Sequence, residues 1–183
     1  MLPTWLFGIM MPEEMFDVVD QEDRVLFQSP RSVVHANHWL HRAVHIFVFN
    51  SRGELLIHRR SATKDEAPLK CTSSASGHLS AGEDYATAAV RELEEELGIK
   101  AAVEFLGIFP AHGALTSFEH SGLYRAITDE TPVFDPGEIL SGEFHSLEDI
   151  RKMVDRDPDD FTHCFRSLFR WYIERFADPA KGF

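Results

Sequence analysis

The chain has little cysteine and few basic residues. Two of its 183 residues are cysteines, Cys71 and Cys164, which is too few for a disulfide framework and is typical of a protein in the reducing cytoplasm. Lysine and arginine number 18 against 30 aspartates and glutamates, so the formal net charge is −12. A chain this acidic lacks the clustered positive charge that binds nucleic-acid polymers or anionic membranes. We therefore expect a cytoplasmic protein whose partner is small or cationic.

Long apolar runs are also missing. No segment approaches the roughly 18 apolar residues that a membrane span requires. The apolar residues 1–10 lack the basic flank and cleavage site of a signal peptide, and we interpret them as a short tail or as an extension before a start at Met10 or Met11. Because the length fits one domain and no linker divides the chain, we expect an N-terminal tail at 1–14 and a single domain at 15–183. Both a monomer and a homodimer are compatible with the sequence.

Strand-like and helix-like stretches alternate along the rest of the chain. Turn residues between apolar runs predict one hairpin at 16–28 and another at 44–58. Further strands are expected at 72–78, 103–109 and 123–127, and helices at 84–97, 147–154 and 160–176. This order predicts an α/β fold.

The helix predicted at 84–97 has an unusual charge pattern. It ends at Gly98, a residue that readily adopts the positive φ of a helix C-terminus. At about 100° per residue, Glu92, Glu95 and Glu96 share one flank of the helix, while Glu94 points away. The apolar stripe that we expect to face the core is formed by Ala86, Val90, Leu93 and Leu97.

Three carboxylates on one flank need a physical explanation. Like charges at this spacing destabilise a helix by roughly 0.2–0.5 kcal/mol per pair, and a solvated acidic face is the simplest interpretation. Carboxylate oxygens at i, i+3 and i+4 also suit Mg²⁺ or Mn²⁺ shared with substrate phosphates. The geometry alone leaves both interpretations open.

The residues around this helix resemble the Nudix box. Gly77–Ile99 matches the pattern G-x5-E-x7-R-E-U-x-E-E-x-G-U at every specified position. The resemblance implies the Nudix fold, a mixed β-sheet sandwiched between helices (α/β/α), and metal-dependent hydrolysis of a diphosphate bond by water. It also implies Mg²⁺ as the cofactor, with Mn²⁺ as the alternative. By position in the box, the catalytic and metal-binding residues are Glu92, Glu95 and Glu96, the Gly77 carbonyl joins the metal, and Glu83 and Arg91 form a structural pair.

The segment 41–70 resembles Nudix proteins close to isopentenyl diphosphate isomerase. The resemblance implies that Arg60 and Lys64 bind the diphosphate. Since Arg59 and Arg60 are neighbours on a strand, only one of them is expected to face the site. The positions near a second metal in the isomerase are His41, His78 and Glu119, which are alternatively structural hydrogen-bonding residues.

Three functions are compatible with this pattern. An isomerase needs a cysteine immediately before Gly77, where this chain has Ser76, and Cys71 lies too far along the strand to replace it. A ligand-binding module without activity has no need of the glutamates that the chain keeps. We therefore predict a hydrolase that cleaves a nucleoside diphosphate or a related organic diphosphate, with the isomerase and the inactive module as alternatives.

Overall fold

The computed structural model describes residues 13–112 and 118–176. The apolar residues 1–10 lie outside the described residues, so the interpretation of this segment as a tail stays a prediction. No helix in the described part of the chain has the length and apolar character needed to cross a membrane.

Strands and helices follow one another along the chain much as the sequence predicts. The strands are β1 Met15–Val19, β2 Val25–Pro30, β3 His41–Phe49, β4 Leu55–Arg60, β5 Cys71–Thr72, β6 Ala75–His78, β7 Val103–Phe109, β8 Glu119–Ile127 and β9 Ile139–His145. The helices are α1 Arg31–Ala36, α2 Tyr85–Leu97, α3 Leu147–Arg156 and α4 His163–Phe176.

A mixed sheet forms the centre of the molecule. Its strand order is β5-β4-β3-β8-β7, with β6 paired to β3 and β9 paired to β4. Strands β3 and β8 are parallel, whereas the other pairs are antiparallel. Strands β1 and β2 form a separate hairpin.

Helices cover both faces of this sheet. Because side chains alternate along a strand, β3 presents Val44, Ile46 and Val48 to α2 on one face. It presents Phe47 and Phe49 to α4 on the other face. The predicted Nudix-type α/β/α fold is therefore confirmed.

Helix α2 has the predicted boundaries but a different orientation. Asp84 caps its first turn by accepting a hydrogen bond from the Thr87 N–H at 2.9 Å, and Gly98 ends it with φ +65°. The expected apolar stripe is wrong in part, because Ala86 and Val90 are exposed. The buried residues are Ala88, Ala89, Glu92, Leu93, Glu96 and Leu97. The helix is rotated towards its glutamates, so that two carboxylates occupy the inner side.

Several elements differ from the prediction. Helix α1 and strand β9 were not expected. Helix α1 has only six residues, and Ile139 is the one buried residue of β9, so neither element has a strong apolar pattern. The stretch 72–78 contains two short strands. Helix α4 begins at His163, after a short 3-10 turn at Pro158–Asp160.

Candidate active site

A cleft of about 1120 Å³ opens beside β6, between α2, the 61–70 loop and the start of α4. It collects residues that lie far apart in the sequence. All the predicted metal-binding and substrate-binding residues line it: Arg60, Lys64, Gly77, Glu92, Glu95 and Glu96.

Glu92, Glu95 and Glu96 line one side of this cleft and are called the carboxylate wall; Glu92 and Glu96 are its buried members. They lie on successive turns of α2, and only 8% and 4% of their surfaces are exposed. Glu96 Oε2 accepts a hydrogen bond from the Ser76 N–H at 3.0 Å. A Cβ at position 77 would overlap the Glu92 carboxylate, so glycine at this position leaves the space that the carboxylate occupies. The backbone of β6 thereby fixes where both carboxylates point.

The two buried carboxylates are electrostatically unfavourable in their ionised forms. Burial raises the pKa of Glu92 to about 7, although the Arg91 guanidinium acts in the opposite direction. Burial, reinforced by the charge of Glu92, also raises the pKa of Glu96 well above its ordinary value. A divalent cation would neutralise both groups, and buried carboxylate oxygens are donors that Mg²⁺ and Mn²⁺ accept. The residues present therefore fit the implied metal.

Arg91 connects this wall to the loop before the helix. Its guanidinium donates to both oxygens of Glu83, at 2.9 and 2.8 Å, and to the backbone carbonyl of His78 at 3.0 Å. It also donates to Glu92 at 2.6 Å and to the more exposed Glu95 at 3.0 Å. The expected contact between Glu83 and Arg91 is present, and one cation serves three carboxylates.

The two neighbouring arginines of β4 face opposite sides, as expected. Arg60 lines the cleft, where its Nε donates to the backbone carbonyl of Glu66 at 3.1 Å. Arg59 points away from the cleft and pairs with both oxygens of Asp160, at 2.7 and 2.8 Å. Lys64 lines the same cleft and pairs with Glu138. Arg60 and Lys64 thus place two basic side chains in the cleft, and Lys70 at the end of the loop adds a third.

A cluster of histidines lies at the inner end of the cleft. The ring nitrogens of His35, His41 and His78 lie within 4.8 Å of one another. Glu119 Oε1 is 2.9 Å from His78 Nε2 and 3.7 Å from His41 Nε2. The sequence analysis missed His35, because it lies on helix α1, which was not predicted. The available signal for a metal-binding role was that His35 lies only six residues before His41. We call these four residues the histidine cluster.

Two imidazoles of the histidine cluster, those of His41 and His78, are neutral in the metal-free protein. Burial, followed by the nearby His78, lowers the pKa of His41 to about 4, and burial lowers that of His78 to about 3. The His41 Nδ1–H donates to the Trp39 carbonyl at 2.9 Å, because a carbonyl can only accept. The Nε2 of His41 therefore carries a lone pair.

Two nitrogens of the histidine cluster lack a hydrogen-bond partner. The Nε2 atoms of His35 and His41 are buried and unpaired among the described residues. Metal-binding histidines commonly donate their other nitrogen to a carbonyl or carboxylate, as His41 does to Trp39. Burial also raises the pKa of Glu119 to about 7. Three nitrogens and a carboxylate in this arrangement fit a second divalent metal ion.

The chain is similar to a family model, to curated proteins and to solved structures. The NUDIX domain family model matches residues 39–165. An isopentenyl-diphosphate Delta-isomerase of Serratia proteamaculans is 30% identical over 162 residues, which cover 86% of this chain and 90% of the relative. An uncharacterized Nudix hydrolase of Yersinia pestis is 42% identical over 86 residues, or 47% of each chain. The crystal structure of DR0079 from Deinococcus radiodurans has a TM-score of 0.70 at 29% identity, covering 79% of this chain and 90% of that one.

Proposed function

Because the chain belongs to the NUDIX domain family, we propose that it is a metal-dependent hydrolase. It cleaves the diphosphate bond of a nucleoside diphosphate or a related organic diphosphate by attack of water. One observation carries the proposal: the buried carboxylates of Glu92 and Glu96 line the same cleft as the basic side chains of Arg60 and Lys64. Carboxylates hold the cation and basic groups hold the phosphates, which are the two requirements of diphosphate hydrolysis.

Each residue of the cleft has a role in this proposal. Glu92, Glu95, Glu96 and the Gly77 carbonyl hold Mg²⁺ or Mn²⁺. When bound, the metal neutralises phosphate charge and makes water a stronger nucleophile. One of the three glutamates accepts a proton from the attacking water. The histidine cluster holds a second divalent ion.

The substrate diphosphate is proposed to bind beside this wall. Arg60 and Lys64 donate to its phosphate oxygens, because guanidinium and ammonium groups form charge-assisted hydrogen bonds with phosphates. Arg91 has a different role, because its guanidinium already forms ion pairs with Glu83 and Glu95 within the protein. It holds the loop and the helix together and does not bind substrate.

An isomerase is the second candidate function. It is favoured by relatives named isopentenyl-diphosphate Delta-isomerase that match most of this chain, such as the 29% identical protein of Photorhabdus laumondii. Against it, Ser76 occupies the position where the resemblance requires a cysteine, and an alcohol is a far weaker acid than a thiol.

Turnover distinguishes the two candidates. The purified protein is incubated with Mg²⁺ and, in separate reactions, with nucleoside diphosphates, nucleotide sugars, dinucleotides and isopentenyl diphosphate. The hydrolase proposal expects Mg²⁺-dependent release of phosphate or a phosphomonoester. Conversion of isopentenyl diphosphate to its allylic isomer without hydrolysis would establish the isomerase instead. The absence of Mg²⁺-stimulated turnover across the whole set would contradict both.

We also propose that residues 15–183 form one domain in the cytoplasm. Both cysteines are free thiols, with Cys71 buried and Cys164 partly exposed. This state agrees with a reducing compartment.

A further inference from the structure

The face of the sheet beneath α4 changes from apolar to polar as it enters the cleft. On strand β3, Phe47 and Phe49 pack against α4. The next inward residue on that face is His45, which lies opposite Ser76 in the pairing of β3 with β6. Cys164, in the first turn of α4, reaches the same region. We call this region the polar end of the cleft; it is lined by His45, Thr72, Ser76, Thr162 and Cys164.

A chain of hydrogen bonds holds the polar end in place. The His45 Nδ1 lies 2.9 Å from Ser73 Oγ, and its Nε2 lies 3.1 Å from Cys164 Sγ. Ser121 Oγ is 3.6 Å from the same sulfur. Burial, followed by the charge of Arg60, lowers the pKa of His45 to about 3, so the imidazole is neutral. The polar end is therefore an uncharged surface built from rigidly placed donors and acceptors.

Hydroxyl groups at the polar end retain unused hydrogen-bonding capacity. Thr72 Oγ1 and Thr162 Oγ1 are 3.0 Å apart, and Thr162 Oγ1 also accepts from the Phe165 N–H at 3.2 Å. Only one of the two hydroxyl hydrogens is used between these threonines, so the other can be donated to a ligand. Within the described residues, Ser76 Oγ makes no hydrogen bond, although the Ser76 N–H binds Glu96. The surface can both donate to and accept from a bound molecule.

The polar end adjoins the groups proposed to bind diphosphate. Arg60 lies near enough for its charge to influence His45, and Ser76 directly precedes Gly77 at the carboxylate wall. A substrate held by its diphosphate would direct its organic group into this region. An apolar group there would leave the Ser76 hydroxyl and one threonine hydroxyl hydrogen without a partner, whereas a hydroxyl-bearing group would satisfy both.

We infer that the polar end of the cleft binds the hydroxyl-bearing sugar attached to the substrate diphosphate, and that it rejects an apolar isoprenyl group. The inference rests on the proposed function, since it names the organic group of that substrate. Its recognition elements are the hydroxyls of Thr72 and Ser76, and the hydrogen-bonded His45–Cys164 pair forms the rigid surface beside them. None of these residues belongs to the Nudix box. Ser76 contacts the box only through its backbone N–H, which donates to Glu96.

Binding measured separately from turnover tests the inference. Isothermal titration with Ca²⁺ in place of Mg²⁺ compares uridine diphosphate, 2′,3′-dideoxyuridine diphosphate and isopentenyl diphosphate. The first two differ only in the sugar hydroxyls. We expect loss of the hydroxyls to weaken binding about tenfold, and the isoprenyl compound to bind on the order of 100-fold more weakly. Equal affinities of the first two compounds, or no binding by any of the three, would overturn the inference.

Two substitutions locate the effect. Ser76→Ala and Thr72→Val are expected to weaken binding of uridine diphosphate about fivefold each, with the affinity for isopentenyl diphosphate changed less than twofold. The matched controls are Ser141→Ala and Thr131→Val, which remove exposed hydroxyls outside the cleft and are expected to change neither affinity. Melting temperatures report whether each variant is folded. Equal effects of the cleft and control substitutions would also overturn the inference.

The same ligands with Mg²⁺ separate this inference from the proposed hydrolysis. Hydrolysis of all three diphosphates at similar rates, with similar affinities, would retain the proposed function and remove the sugar site. The expected order of affinities without any turnover would retain the sugar site and remove the proposed function.

Discussion

The carboxylate wall lines the cleft and the histidine cluster reaches it through His78 and Glu119, but the two are built in opposite ways. The wall consists of Glu92, Glu95 and Glu96, which come from one helix within five residues of one another. The histidine cluster combines α1, β3, β6 and β8, and Glu119 lies 84 positions after His35 in the chain. The wall depends on helix geometry, whereas the histidine cluster depends on the whole sheet.

Their chemistry differs as well. The wall offers carboxylate oxygens, which suit hard cations that share ligands with phosphates. The histidine cluster offers three imidazole nitrogens, which suit borderline transition metals. In the metal-free protein the wall contains acids whose pKa values are raised by burial, while the histidine cluster contains bases whose pKa values are lowered. We therefore expect the two regions to respond differently to the same kind of substitution.

The largest effect is expected from Glu96→Gln. Removing this carboxylate should lower kcat about 1000-fold at saturating Mg²⁺, because the amide is a poor ligand for a hard cation. Steady-state rates on the best diphosphate substrate measure the loss. Glu94→Gln is the matched control, since Glu94 is half exposed and pairs with Lys100. A kcat of Glu96→Gln close to that of the control would show that the carboxylate wall has no catalytic role.

Glu92→Gln is expected to stabilise the metal-free protein at pH 8. The pKa of Glu92 is about 7 in the folded protein against 4.5 for an ordinary glutamate. The folded state therefore binds this proton more tightly, and that stabilisation is lost as the pH rises through about 7. Glutamine stays neutral throughout.

The free energy of unfolding measures this effect. We expect Glu92→Gln to raise it by on the order of 2–3 kcal/mol at pH 8 in a chelator, with little change at pH 5. Urea unfolding at the two pH values provides the measurement. Equal changes at both pH values would show that packing, rather than ionisation, explains the difference.

His78→Gln sharpens the contrast from the other region. It should weaken binding of Co²⁺ at the histidine cluster about 100-fold and leave the Mg²⁺ dependence of hydrolysis within threefold, because it removes a nitrogen ligand but no carboxylate. Visible absorption of bound Co²⁺ follows the first effect. His145→Gln, on β9, is the control, as His145 does not line the cleft. Parallel losses of Co²⁺ binding and Mg²⁺-dependent activity would mean that the two regions form one site.

Arg60→Ala should have the smallest effect of the four. We expect KM for the diphosphate to rise about tenfold with Co²⁺ binding unchanged, because a charge-assisted contact with phosphate is lost. Arg59→Ala is the paired control: it breaks the ion pair with Asp160 and should lower the free energy of unfolding by about 1 kcal/mol without changing KM. An unchanged KM in Arg60→Ala would show that the diphosphate does not bind at Arg60.

The contrast between the regions also explains what the sequence could predict. Helix α2 was predictable because Asp84, the glutamates and Gly98 are local signals on one helix. Its rotation was not, because periodicity arguments assume that apolar residues face inwards, whereas Glu92 and Glu96 are buried and Val90 is exposed. Buried ionisable groups contradict that assumption where a site is built.

The histidine cluster was predictable only in part. His41 and His78 stood out through a family resemblance, but His35 lies on a six-residue helix that carries no strong local signal. That helix is held in place by contacts distant in sequence, including packing among Phe16, Val18 and Val34. Such contacts become visible only once the strands are assembled.

The parallel pairing of β3 with β8 has a consequence for how this cleft can vary. The register sets His41 opposite Glu119 and Ala43 opposite Ser121. The hydrogen bonds between the two strands therefore fix the position of Glu119 in the histidine cluster and that of Ser121 beside the polar end. Residues added to the connection before β8 would lengthen the chain without moving Glu119 relative to His41. A slip of one residue along the ladder would instead turn Glu119 to the opposite face of the sheet. The alignment of Glu119 with His41 therefore tolerates changes in the length of the connection before β8 but does not tolerate changes in strand register.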